Sequence, residues 1–309
     1  MRVVFMGTPE SAVRSLHRLI DDGHEVVSVW TQPDKPAGRG EKIHLPPVRK
    51  FADEHGLRVE QPTKLKTDEA KALFASYDAD LAVVVAYGRI LPPAFLTAPK
   101  LGCINVHFSL LPKYRGAAPA NWAIVNGEHQ TGVTTMFIEQ ELDSGPILLQ
   151  RETTIDETET APQLMERLSV IGADLLSETL HELDAITPRK QNDEEATFAP
   201  ILTRQHGLID WTMSAIDIER RVRGFQPWPN AHTQLKGKRL IIWAATVCDS
   251  SAKDAGPGEI IEAHGEDLLV KTGQASALRI LELQPESKRR MHVRDFLNGS
   301  HLNAGESFG

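Results

Sequence analysis

An α/β chain is what the sequence predicts, on three observations. Short apolar, β-branched runs alternate with helically spaced runs through residues 1–155, the pattern of strands joined by crossover helices. A polar, Pro-flanked and charged stretch follows at 187–205, where few contacts are expected to cross. Beyond it, short strand-like runs are separated by Gly and polar turns, which suggests a small barrel. The expectation is a Rossmann-like, doubly wound, mostly parallel sheet in residues 1–186. A linker at 187–205 and a small OB-like C-terminal β-barrel at 206–309 complete it.

The elements follow in order. Arg2 to Gly7 is apolar enough to be a buried first strand. Pro9 to Asp22 carries Ala12, Val13, Leu16, Leu19 and Ile20 at helical spacing, with Thr8 placed as N-cap and Pro9 at the first helical position. Glu25 to Gln32, Leu81 to Gly88 and Cys103 to Phe108 read as further strands. Gly132 to Ile138 and Ile147 to Ile155 lie close enough in sequence to pair antiparallel at one edge. Ala161 to Leu183 reads as a long amphipathic helix closing the domain. In the C-terminal part, Ser214 to Arg223 is helical. Ala231–Leu235, Arg239–Val247, Gly258–Ala263, Asp267–Thr272 and Ala277–Leu283 read as strands, and His292–Leu297 as a final helix.

Bulk properties exclude several classes. At 41% hydrophobic and 25% charged over 309 residues, the composition is that of a globular protein. No apolar run approaches the ~20 residues needed to span a bilayer, and Met1 to Gly7 does not read as a signal peptide. Cys103 and Cys248 stand far apart without metal-ligand spacing. A reducing cytoplasm fits them better than a disulfide framework or a zinc site. The net charge is -8, and the acidic excess lies before His206, with 29 acidic against 21 basic residues. From His206 on there are 13 of each, so local basic clusters there can meet RNA although the whole chain is acidic.

The most informative segment is Ile104-Asn105-Val106-His107-Phe108-Ser109-Leu110-Leu111-Pro112, followed by Leu142-Asp143-Ser144-Gly145. Residues two apart on a strand share a face, so Asn105 and His107 project into one space. An amide donor beside an imidazole can stabilise an oxyanion while a proton is handled. Asp143, in a turn beside Gly, can reach the same space. Each residue taken singly has a plain alternative, a polar pair at a strand end or a turn-forming Asp.

Together these residues resemble the folate-dependent formyltransferases, which carry an Asn-x-His strand, a Ser-Leu-Leu-Pro loop and a later Leu-Asp-x-Gly. The similarity extends through Phe5-Met6-Gly7-Thr8-Pro9, Thr31 to Gly40, Val85-Ala86-Tyr87-Gly88 and Phe225-Gln226-Pro227-Trp228-Pro229. Those blocks point to the branch of the family that acts on charged tRNA. The resemblance implies formyl transfer from 10-formyltetrahydrofolate to the α-amine of methionine on initiator tRNA, with no metal, membrane or protein partner. Asn105, His107 and Asp143 would be catalytic. Ser109, Leu110, Leu111 and Pro112 would border the folate, with Val84, Val85, Tyr87, Ile90 and Leu91 as apolar walls. Arg39, in a loop with Lys35 and Lys42, would enter the tRNA acceptor end.

Relatives that formylate glycinamide ribonucleotide or an amino sugar share the Asn, His and Asp set, so the loop and the appended barrel choose the acceptor. Basic clusters at Arg220, Arg221 and Arg223, at Lys236, Lys238 and Arg239, and at Lys288, Arg289 and Arg290 are expected to contact phosphates. One departure is Phe108, where the family has Gly; its ring either narrows the pocket or points into the core. The rival reading is a non-catalytic RNA-binding protein on the same scaffold, which the intact Asn105, His107 and Asp143 disfavour.

Overall fold

The computed structural model describes residues 1–37, 42–249, 255–274 and 276–309. The chain divides into two compact units. The first comprises Met1–Pro119, Gln130–Thr154 and Met165–Pro200; the second comprises Ala120–His129, Ile155–Leu164 and Ile201–Gly309.

The first unit begins β1 (Arg2–Gly7), α1 (Glu10–Asp21), β2 (Glu25–Trp30), β3 (Lys35–Ala37), β4 (Lys42–His44), α2 (Pro47–Glu54) and β5 (Val59–Glu60). It continues α3 (Asp68–Ser76), β6 (Leu81–Val85), α4 (Pro93–Thr97), β7 (Cys103–His107) and β8 (Arg115–Gly116). α5 (Pro119–Val125), which belongs to the second unit from Ala120 on, leads to β9 (Gln130–Phe137), β10 (Ile147–Thr154), α6 (Ala161–His181), whose first four residues are also of the second unit, and β11 (Phe198–Ala199). A 7-stranded sheet has the order β10-β9-β7-β6-β1-β2-β5. The strands from β7 to β5 run parallel, and β9 and β10 complete one edge antiparallel.

Central strands of such a sheet are covered on both faces and lose the alternation of a half-exposed strand. Every residue of β6 is accordingly buried, as are Val3 to Gly7 of β1. Trp30 packs edge-on against Phe74 and Phe95, with ring centroids 5.2 and 5.5 Å away, a geometry worth about 0.5–1.5 kcal/mol per pair beyond area. Thr8 does not cap α1. Pro9 occupies the cap position without a side-chain bond, and the Thr8 hydroxyl instead donates to the carbonyl of Tyr87 at 3.0 Å.

The stretch read from sequence as a linker is tied to the first unit as far as Pro200. Arg189 and Ile147 exchange two backbone hydrogen bonds of 2.8 Å, and β11 pairs in parallel with β8. Exposed Asn192 to Glu195 give the segment its polar look, but its backbone groups find protein partners on either side.

In the second unit α7 (Ala215–Gly224) starts at Ser214, whose hydroxyl caps the Asp217 amide at 3.3 Å. Then follow β12 (His232–Leu235), β13 (Lys238–Asp249), β14 (Ile260–His264), β15 (Asp267–Lys271), β16 (Ser276–Pro285), β17 (Met291–His292) and α8 (Val293–Gly299). The strands form an antiparallel sheet, β12-β13-β16-β15-β14, with β17 added to β16. The C-terminal tail links its two edges: Gly309 donates to Gln234 of β12 at 3.1 Å, and Glu306 accepts from Ile260 of β14 at 2.8 Å. Trp211, Ile218, Val222, Ile242, Leu268, Leu278 and Leu283 fill the enclosed core. Among the described residues no helix is long and apolar enough to cross a membrane.

Candidate active site

The site is built on β7, flanked by parallel β6 and antiparallel β9. Asn105 lies between Val84 and Met136, and His107 is opposite Thr134. The alternation holds: Val106 and Phe108 face Gly172 of α6, where an added Cβ would lie 2.9 and 3.3 Å from them. Phe108 therefore resolves into the core. Asn105 and His107 share the other face. Asn105 is half-buried and His107 only 5% exposed.

His107 is held in one tautomer. Its Nε2 lies 2.9 Å from the Tyr114 carbonyl, and a carbonyl can only accept, so Nε2 carries a proton. Nδ1 then holds the lone pair of the neutral ring. It faces Oδ2 of Asp143 at 3.7 Å, an ion-pair distance rather than a hydrogen bond. Two acceptors facing each other gain nothing; a proton on Nδ1 turns the same contact into attraction between imidazolium and carboxylate.

Asp143 sits in a loop, with φ of 50°, a left-handed conformation that Asp tolerates better than most residues. Its Oδ2 accepts from the Gly116 amide at 2.8 Å. The Gln191 amide donates to the carbonyls of Asp143 and Gly145, both at 2.8 Å. The Gln191 oxygen accepts from Arg115 Nε and Nη2 at 3.0 and 2.9 Å. Tyr114, Gly116 and Gln191 carry no sequence signal of this. They act through backbone groups, or through an amide in a stretch that reads as linker.

The other residues singled out from sequence are distributed unevenly. Ser109 is buried and its hydroxyl donates to the Lys113 carbonyl at 2.6 Å, so it closes the loop on itself. Thr134 Oγ1 donates to the Ser109 carbonyl at 2.6 Å and accepts from the Leu111 amide at 3.1 Å. Leu111 packs with Met136 and Ile147, while Leu110 and Pro112 are half-buried. Val84 adjoins Asn105. Val85 and Leu91 are buried, and the ring of Tyr87 lies in the core with Trp30 and Phe95 at 2% exposure. Positive φ at Ala86 and Gly88 marks the turn that takes this ring inward, and Tyr87 presents its carbonyl instead. Ile90 is 82% exposed. Lys35 is exposed at the base of the β3–β4 hairpin, Lys42 lies on β4, and Arg39 lies outside the described residues.

The C-terminal basic clusters differ among themselves. Arg223 pairs with Glu219 at 2.6 Å, Arg221 lies over the Phe225 ring at 5.6 Å, and Arg220 stacks on Gly127 and lies 3.8 Å from Asp217. That cluster is engaged within its own unit. Lys238, Arg239, Lys288 and Arg289 are exposed, and the Glu286 amide bonds to the Arg239 carbonyl at 2.9 Å, placing the two clusters side by side. Glu262, His264 and Asp267 bring potential metal-ligand atoms within 4.8 Å of one another. His264 already meets Glu262 at 2.8 Å and Asp267 meets Arg279 at 2.7 Å.

The family model described as formyl transferase matches residues 1–180, and that of the formyl transferase C-terminal domain matches 201–301. The chain belongs to the formyl transferase family, and it is an enzyme. Among curated relatives, the methionyl-tRNA formyltransferase of Alkaliphilus oremlandii is 48% identical over 311 residues, covering 100% of both chains. That of Methylococcus capsulatus is 49% identical over 311 residues with the same coverage. The fold matches an N-formyltransferase from Helicobacter canadensis, solved with folinic acid and dTDP-3-aminofucose, at TM-score 0.68 and 18% identity over 92% of this chain and 99% of that one. It also matches HypX from Aquifex aeolicus, solved with tetrahydrofolic acid, at TM-score 0.64 and 18% identity over 96% of this chain and 47% of that one.

Proposed function

We propose that the chain transfers a formyl group from 10-formyltetrahydrofolate to the α-amine of methionine carried by initiator tRNA, in the cytoplasm. The observation that carries the reading is the His107–Asp143 contact at 3.7 Å on the face that also bears Asn105. Because Nε2 is committed to Tyr114, Nδ1 is the ring atom open to a proton, and it faces a carboxylate. The amine nitrogen bonds to the formyl carbon, whose C=O π pair moves to oxygen; the oxyanion then re-forms the carbonyl as the carbon's bond to the folate nitrogen breaks. Asn105 donates to the oxyanion of the tetrahedral centre. His107 Nδ1 takes the amine's proton and returns it to the departing folate nitrogen, while Asp143 stabilises the imidazolium in between. The relatives' shared name and full-length similarity support the choice of acceptor.

The folate finds fitting chemistry here. The Asn105 side chain has no hydrogen-bond partner among the described residues and is half-buried, and the half-buried Leu110 and Pro112 in the loop that follows β7 offer apolar surface. Lys35, Arg39 and Lys42 serve the tRNA acceptor end, and the exposed cluster from Lys238 to Arg239 with Lys288 and Arg289 serves phosphates.

Formyl transfer assayed in parallel on charged initiator tRNA, charged elongator tRNA and small amines tests the reading. Transfer to initiator Met-tRNA is expected to dominate; a preference for small amines overturns the acceptor, and no transfer to any of them overturns the reaction. Arg39→Ala is expected to depress kcat/KM for Met-tRNA and to spare a small surrogate amine.

A further inference from the structure

We infer that residues 189–199 form a clamp that sets the geometry of His107 and Asp143, with Gln191 and Thr197 as its positioning residues; this rests on the function proposed above. The hub of the clamp is β8. Tyr114, just before it, has φ of 63°, a conformation that a bulky residue keeps only when its surroundings hold it. The Thr197 hydroxyl accepts from the Tyr114 amide at 2.9 Å. The Thr197 carbonyl accepts from Arg115 at 2.9 Å, and that of Ala199 from Ala117 at 2.9 Å. So held, the Tyr114 carbonyl points at His107 Nε2.

The next two residues reach toward Asp143. Gly116 donates its amide to the carboxylate, and its own position is set by β11: a Cβ there would lie 2.5 Å from the Ala199 carbonyl, at φ of 125°. Arg115 is buried, and its guanidinium meets Gln191 and, at 2.8 Å, Asp193. Gln191 thereby has its oxygen fixed by Arg115, which aims its NH2 at the carbonyls of Asp143 and Gly145. One short segment thus supports the imidazole through Tyr114 and the carboxylate through Gly116 and Gln191. Neither Gln191 nor Thr197 touches the reacting groups, so both act through others.

The test uses the full-length chain. Gln191→Glu keeps an acceptor for Arg115 but replaces the donor that faces two carbonyls. Thr197→Val removes the acceptor for Tyr114 while keeping the shape, and Thr197→Ser keeps the hydroxyl. Thr197 is exposed, so its variants leave the core intact. Gln191→Glu and Thr197→Val are expected to lower kcat by about tenfold or more, as for displaced catalytic groups, with KM for Met-tRNA little changed and Thr197→Ser close to wild type. Nitrogen-15 spectra of labelled histidine, with His107 assigned by its loss in His107→Ala, are expected to show the Nε2–H tautomer in wild type and Thr197→Ser, and a tautomer mixture in Thr197→Val. Wild-type kcat and an unchanged His107 signature in both Gln191→Glu and Thr197→Val overturn the clamp. Equal losses in Thr197→Ser and Thr197→Val also overturn it. A wild-type chain that transfers no formyl group defeats the proposed function instead, and the histidine spectra then decide the clamp.

Discussion

His107 and Asp143 arrive at the same contact from opposite kinds of backbone. His107 ends a central strand hydrogen-bonded on both sides, by β6 and β9. Its position is fixed by the sheet, whose core it shares. Asp143 stands in a loop between β9 and β10, with positive φ and no ladder of its own. It is placed by Gly116, Gln191 and the turn at Gly145. A strand supplies precision through many small, redundant contacts; a loop must borrow it from a few specific ones. The two halves are therefore expected to fail differently under mutation.

The largest effect is expected on the strand. Asn105→Ala is expected to lower turnover by ~100-fold or more, the usual cost of one lost oxyanion donor, with folate affinity little changed because the donor acts mainly in the transition state. Steady-state and binding measurements check this, and near-normal turnover would remove Asn105 from the mechanism. On the loop, Gly145→Ala puts a Cβ 1.9 Å from the Phe137 carbonyl oxygen. Backbone has to move, and turnover is expected to fall about tenfold as Asp143 shifts, with a smaller change in Tm than a core cavity would give. Wild-type turnover in Gly145→Ala would show that the loop is held as firmly as the strand.

The link between the halves is tested by a double-mutant cycle. If Asp143 works through His107, the double alanine variant is expected to be little worse than the worse single variant, as for groups that act as a unit. Strictly additive losses in activation free energy would separate them. The smallest effect concerns reactivity alone. Burial pushes the Cys103 thiol on β7 up to about 12. A raised thiol pKa keeps the group neutral through the ordinary range, so thiol reagents at pH 8 are expected to spare Cys103 and label Cys248, which is partly exposed. Equal labelling rates by mass spectrometry would show β7 opening, and the contrast with the loop would collapse.

The same contrast governs what the sequence revealed. Period-two alternation over Ile104 to Phe108 was enough to put Asn105 and His107 on one face, because a strand's side-chain directions follow from local chain geometry. The barrel strands were legible to within a few residues for the same reason; β13, expected from Arg239 to Val247, runs Lys238–Asp249. The direction of the Tyr87 ring, buried with Trp30 and Phe95, was not legible, since an aromatic after a strand gives no sign of which way a positive-φ turn will send it. Gln191 was hidden altogether. Its partners Arg115 and Asp143 lie 76 and 48 residues away, and its neighbours are solvated charges. A tertiary amide bridge leaves no periodic trace.

The division of the chain has a consequence for anyone who would cut it. Residues 120–129 and 155–164 belong to the second unit although they lie within the first two-thirds of the sequence. Asn121 donates to the Gly224 carbonyl at 2.7 Å, and Arg223 donates to that of Glu159 at 2.9 Å. A gene split at codon 200 would deliver one product carrying two orphaned fragments and another lacking them. Recombination that swapped the C-terminal segment between relatives would have to bring both fragments with it, so the two halves are expected to be inherited together rather than shuffled.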